Sequence, residues 1–228
     1  MPLTASVCFW EKPMLTLRRP YPRVRKDDLL TYGGSQMLAN TALIRGCGCG
    51  PVAALDLLHY LCDGENTPPL PIARYNAELE SLCRYYFPLI PHSGINGLML
   101  ALGCNRLFRR RHLPYRAVWA ISGDKLWERV REMLINDLPV ILSIGPIFPA
   151  LWKKDRLPFY SMRGDGSFVR SSSAKSHYVT VTGLNDEWAR IASWGRQYYI
   201  KRSEYDDFVK RHSNQIFSNI LYIKRTDL

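Results

Sequence analysis

Apolar residues recur at helical spacing through the first half of the chain. Val52, Leu55, Leu58 and Leu61 predict a helix over 50–62, with Pro51 in its first turn, where a missing N–H costs nothing. A second helix is predicted over 72–85, and a third from near Ile95–Asn96 through "GLMLALGCNRLFRR". A fourth covers 124–136, where Leu126, Trp127, Val130, Met133 and Leu134 share one face and Ser122 or Asp124 can cap the start. "DGENTPPLP" is a short connector between the first two. Beyond residue 137 the pattern changes. "LPVILSIG", 138–145, is an all-apolar run between Pro and Gly and reads as a buried strand. Gly164–Asp165–Gly166 signals a turn, and "HYVTVTGLNDEWARIASWGRQYYI" reads as successive strands turning at Asn185–Asp186–Glu187. A short helix over 203–212, capped by Ser203, and a strand over 216–224 close the chain. Residues 1–34 are rich in Pro and Arg and read as irregular, ending in the Gly33–Gly34 turn. Helices first and strands after predict a single α+β domain over 1–228, with the helices packed to one side of a mostly antiparallel sheet.

At 228 residues the chain can bury a real core. No segment approaches the ~20 uninterrupted apolar residues of a membrane span. The start lacks the positive, apolar and small-residue sequence of an export signal, so a soluble, cytoplasmic protein is expected. The net charge of +11 gathers at Arg18–Arg19, 23–26, 109–112 and Lys153–Lys154. Such clusters are either a solvated basic face or an attraction for anions, acidic peptides among them. No zinc-finger spacing, RNA-binding signature or recognition helix accompanies them, which argues against nucleic acid as the partner.

Six cysteines stand at Cys8, Cys47, Cys49, Cys62, Cys83 and Cys104. Their irregular spacing favours reduced thiols. Cys47 and Cys49 could supply two of the roughly four ligands of a zinc clip, but no second close pair exists, so no metal is expected. A bond between these two would close a very small, strained ring. A packing role or a nucleophile remains. Cys49 precedes Gly50–Pro51 at the helix start, where free N–H groups and the helix dipole favour thiolate and can hold an oxyanion, and Gly50 leaves room for a substrate carbonyl. Of the five histidines, His59 points away from that helix start, while His92, His112 and His212 sit in a loop, a basic run and an exposed helix end. His177 opens a strand and can lean over a helix packed on the sheet. On these features alone, both Cys49 and His177 stay open between structural and catalytic roles.

"CGPVAALDLLHYL", then "PVILSIG", then "HYVTVTGL…WARIASWGRQYYI…SEYDDFVK" resemble, in that order, the papain-like cysteine peptidase superfamily. The nearest branch is that of the bacterial peptidases that cleave double-glycine leader peptides, and the resemblance runs over residues 32–222. It implies a papain-like fold with Cys49 as nucleophile and His177 as general base, an acyl-enzyme, a peptide or protein substrate, and no metal or organic cofactor. It also implies a Gln oxyanion donor ahead of the cysteine. Gln36, after the flexible "YGGS", is preferred to the nearer Asn40. The third position departs from the family's Asp or Asn. If Leu184 pairs with Trp188, His177 faces Gly195 and Ser193 lies on the same sheet face. Ser193 can accept a hydrogen bond from imidazole but cannot stabilise imidazolium as a carboxylate does; Asp186, in the far turn, is too distant. Trp194, Tyr198 and Tyr199 are either a cleft wall or core residues. Three functions fit: a Cys–His hydrolase, an acyltransferase on the same site, or a catalytically impaired peptide-binding module.

Overall fold

A computed structural model describes residues 13–64, 66–120, 125–146 and 154–226. Three short strands come first: β1 (Leu15–Thr16), β2 (Val24–Lys26) and β3 (Leu29–Leu30). A single 3-10 turn at Gln36–Leu38 leads into α1 (Ala42–Cys47), α2 (Cys49–Cys62), β4 (Leu70–Pro71), α3 (Ile72–Tyr85) and α4 (Gly97–Arg110). The second half holds β5 (Tyr115–Trp119), α5 (Leu126–Ile135), β6 (Val140–Ile144), β7 (Leu157–Met162), β8 (Phe168–Ala174), β9 (His177–Leu184), β10 (Trp188–Ser193), β11 (Arg196–Lys201), α6 (Arg202–His212) and β12 (Ile220–Arg225).

The fold is α+β. Nine strands form one antiparallel sheet in the order β5-β12-β6-β9-β10-β11-β7-β8, with β1 laid against β9. A second, three-stranded sheet joins β3, β2 and β4. The helices cover both faces of the large sheet and not one, as expected from their order. Val140, Leu142 and Ile144 of β6 share a core with Val130, Met133 and Leu134 of α5 and with Tyr205 and Phe208 of α6. Ile141, between them, joins Leu221 and Ile223 of β12 in a core with Leu55, Leu58, Leu100 and Leu107 of α2 and α4. The reason is in the strand: β6 is buried at every position, and a strand apolar on both faces needs cover on both.

Other boundaries depart from expectation for local reasons. The N-terminal segment is not irregular throughout, because Leu15 pairs with Leu184 and the adjoining Leu17 and Tyr21 are buried. α1, which was not predicted, is six residues long and is capped by Thr41, whose hydroxyl accepts from the Ile44 N–H at 3.4 Å. Asn96 caps α4 through a 2.9 Å bond from the Met99 N–H. Ser203 does not cap α6; it lies inside the helix, and the flanking Lys201 makes no side-chain cap. The last strand begins at Ile220 because the Asn214 side chain takes the Ile216 and Phe217 N–H groups into a turn first. The predicted turn at Gly164–Asp165–Gly166 joins β7 to β8, and Asp165 accepts from Ser167 across it. Cys8, Ser122, Asp124 and Lys153 lie outside the described residues.

Candidate active site

Cys49 is the first residue of α2, and the helix behind it is buried from Gly50 to Tyr60. Gly50 is needed for close approach: a Cβ there would meet Ile95 Cγ2 at 2.8 Å and the Tyr178 ring at 3.3 Å. On the side where a Cβ would project, the room that Gly50 leaves is used by Ile95 and Tyr178. Tyr178 is fixed in turn by donating to the Ile95 carbonyl at 3.0 Å. The start of α2 is thus pressed onto the first residues of β9.

His177 opens β9, and its Nε2 lies 2.8 Å from Ser193 Oγ. The strand register explains the meeting. Thr180 pairs with Ala192 and Val181 with Ile191, the register expected for the site end of the hairpin. At the turn end Leu184 pairs with Ala189 and not Trp188; a bulge between Arg190 and Ile191 absorbs the one-residue difference. β10 then turns into β11 through Trp194 and Gly195, with φ of 50° and 73°, the left-handed pair that a two-residue hairpin requires. This turn lays the Trp194 indole on the imidazole, with centroids 4.5 Å apart at 22°. Tyr198 packs into the core with Phe159, and Tyr199 packs edge-on against Phe168, so neither forms a wall here.

Cys49, His177, Ser193 and Gln36 all line one narrow pocket, together with Gly34, Val52, Ala53, Asp56, Tyr178, Thr180, Ala192 and Trp194. Two roomier cavities, about 340 and 460 Å³, lie at the far end of α2 and between α5 and α6; neither holds this thiol or this imidazole. Gln36 is buried and donates from Nε2 to the Arg45 carbonyl at 2.8 Å. An amide nitrogen has two hydrogens, so one remains for another acceptor. α1 takes up much of the long gap between Gln36 and Cys49. Asn40 instead donates to Glu80 at 3.0 Å and does not line the pocket. The other histidines are elsewhere: His59 faces Asp63 and Glu78, and His212 faces Asp155.

The electrostatics run against the expected thiolate, although the Cys49 residue is only part-buried. Burial raises the Cys49 pKa, and backbone hydrogen bonds from Tyr178 and Gly50 only partly oppose it. Burial also pushes His177 down to about 3. Both directions favour a neutral thiol beside a neutral imidazole at rest. The imidazole's Nε2 partner, the Ser193 hydroxyl, is likewise neutral. Among the described residues the cysteines are free thiols, and no three His, Cys, Asp or Glu side chains are grouped to hold a metal ion. No described helix is long and apolar enough to cross a membrane.

Asp56 escaped the sequence reading. It is 3% exposed, lines the pocket, and accepts from the Gly34 N–H at 2.9 Å and from the Tyr75 hydroxyl at 2.8 Å. Its signal was a single carboxylate inside the apolar run "PVAALDLL", seven residues after Cys49 and so on the same side of the helix.

No protein-family model matches the chain, and no curated protein matches it. Among solved structures, the chain is similar to a C39-like peptidase, provisionally so described, from Bacillus anthracis. The two share 14% identity over 89% of this chain and 98% of that one, with a TM-score of 0.48.

Proposed function

We propose that this protein is a papain-like thiol hydrolase that cleaves a peptide or amide bond through Cys49 and His177. One observation carries the reading. The thiol at the mouth of α2 shares a narrow pocket with an imidazole whose Nε2 is already held by Ser193. That bond leaves Nδ1 as the ring nitrogen that can take a proton.

Because the resting pair is neutral, the thiol proton passes to Nδ1 as sulfur attacks the carbonyl carbon. The carbonyl π-electrons move to oxygen, and the free Gln36 N–H and the N–H groups at the α2 start are the donors for that oxyanion. On collapse the C–N bond breaks, and His177 gives its proton to the leaving nitrogen. Water, deprotonated by His177, then resolves the thioester to a carboxylic acid and the restored thiol. An amine in place of water would give acyl transfer. Ser193 orients the ring but offers imidazolium no opposite charge, so turnover is slower than with a carboxylate there. The +11 net charge favours an acidic peptide or protein as substrate.

The neutral resting pair also favours a second reading, a peptide-binding module on the same scaffold. A quenched-fluorescent peptide library and a panel of peptidyl electrophiles separate the two. The hydrolase gives turnover and a covalent adduct, both lost in Cys49→Ala. Turnover that survives Cys49→Ala overturns it, and binding with neither turnover nor adduct assigns the module.

A further inference from the structure

We infer that Asp56 is a positioning residue for this site: its carboxylate clamps the Gly33–Gly34 loop and so sets where Gln36 meets an oxyanion on Cys49 chemistry. The inference rests on the proposed hydrolase reading and deepens it.

Asp56 stands two helical turns below Cys49, about 10 Å along α2. Both of its oxygens accept from the Gly34 N–H at 2.9 Å, Tyr75 donates to Oδ1 at 2.8 Å, and Tyr21 approaches Oδ2 at 3.4 Å. The loop is shaped to this carboxylate. Gly33 has φ +73°, and a Cβ on it would fall 2.5 Å from Asp56 Oδ2; a Cβ on Gly34 would fall 1.9 Å from the Tyr75 hydroxyl. At its other end the loop is tied to the turn that carries the imidazole's partner, because the Tyr32 N–H donates to the Gly195 carbonyl at 2.8 Å. Gln36 follows Gly34 by two residues. The loop therefore spans from the Ser193–Trp194 side of the pocket to the α2 side, and its α2 anchor is one buried carboxylate.

A buried carboxylate is a costly anchor unless its charge is used. Among the described residues no cation pairs with it directly. The groups facing it are Tyr21 from the N-terminal segment, Tyr75 from α3 and, through charge at longer range, His59 from α2; Thr180 of β9 also lines the pocket. Burial raises Asp56 to about 6, against the Gly34 and Tyr75 hydrogen bonds, which lower it. Protonation turns one acceptor into a donor, and the bidentate hold on Gly34 is lost.

Two probes of the full chain test this. A peptidyl aldehyde adds reversibly to the thiol: the S–C bond forms, the carbonyl oxygen takes up negative charge and then the thiol's proton. Iodoacetamide alkylates the same sulfur, with loss of iodide from carbon and of the thiol's proton to His177 or solvent, and builds no charge on a carbonyl oxygen. Asp56→Asn is expected to weaken the aldehyde about tenfold while leaving alkylation of Cys49 within about twofold; one displaced oxyanion donor sets that scale. Wild-type aldehyde affinity should fall in acid with a midpoint near 6, and that midpoint should vanish in Asp56→Asn. Tyr75→Phe removes a donor that favours the charged carboxylate and should move the midpoint upward, which keeps the test available if Asp56→Asn fails to fold. An unchanged aldehyde affinity, an equal loss of both probes, or a midpoint indifferent to Tyr75→Phe overturns the inference. A wild-type chain on which neither probe reaches Cys49 overturns the hydrolase reading itself, a separate outcome.

Discussion

The two ends of the pocket hold two buried ionisable groups that the fold treats differently. His177 has a neutral hydroxyl on Nε2 and the flat face of Trp194, and nothing offsets burial, so its basicity falls to about 3. Asp56 has a backbone N–H and two phenols around it, and its carboxyl rises only to about 6. The chain thus places its pocket carboxylate on a loop and not on the imidazole. Hydrogen-bond donors hold a buried charge tolerably; a lone hydroxyl does not hold imidazolium.

Removing the reacting groups should have the largest effect. Cys49→Ala is expected to abolish turnover, and His177→Ala to lower kcat/KM by about 10²–10⁴ in a continuous peptide assay. Gln36→Ala should cost about 10²–10³ in kcat with little change in KM, since an oxyanion donor acts mainly in the transition state. Moving the carboxylate sharpens the comparison further. Ser193→Asp should lift the His177 pKa by one or more units in an NMR titration and raise kcat about tenfold, whereas Ser193→Ala should lower it about tenfold.

The smallest effect is on stability against pH, and the two groups oppose each other. His177 titrates lower in the fold than unfolded, so from pH ~6.5 down to ~3 the unfolded chain binds a proton that the native one refuses, and acid destabilises. Asp56 titrates higher in the fold, so between pH ~6 and ~4 the native chain holds the extra proton, and acid stabilises. Urea midpoints at pH 4.5 and 7 should therefore differ modestly in wild type. In His177→Gln the acid-side loss should shrink, leaving the Asp56 term exposed.

What the sequence disclosed follows the range of the interactions involved. The helices over 50–62 and 72–85 and the β9–β10 hairpin are set by local periodicity and turn chemistry, and they emerge nearly as read. Ser193 reached His177 in the expected register, although a bulge at Arg190–Ile191 was required to bring it there. α1 is too short to leave a periodic pattern, and Ser203 looks like a cap only until the backbone of β11 is seen to run directly into α6. The cover on both sheet faces was signalled only by the uninterrupted apolar run of β6, and the Gly34–Asp56 clamp joins residues 22 apart, a contact that no local pattern encodes. The thiol's ionisation was misjudged for a related reason. The helix start is visible in "CGP", but the burial that opposes it depends on how the whole chain packs and leaves no local pattern.

The most direct test of the central claim is the rate and site of modification by a peptidyl vinyl sulfone, mapped by peptide mass spectrometry in wild type and His177→Ala. One adduct is expected, on Cys49, formed about 100-fold more slowly when the imidazole is removed. Adducts spread evenly over Cys47, Cys49 and Cys62, or a rate indifferent to His177, would contradict it.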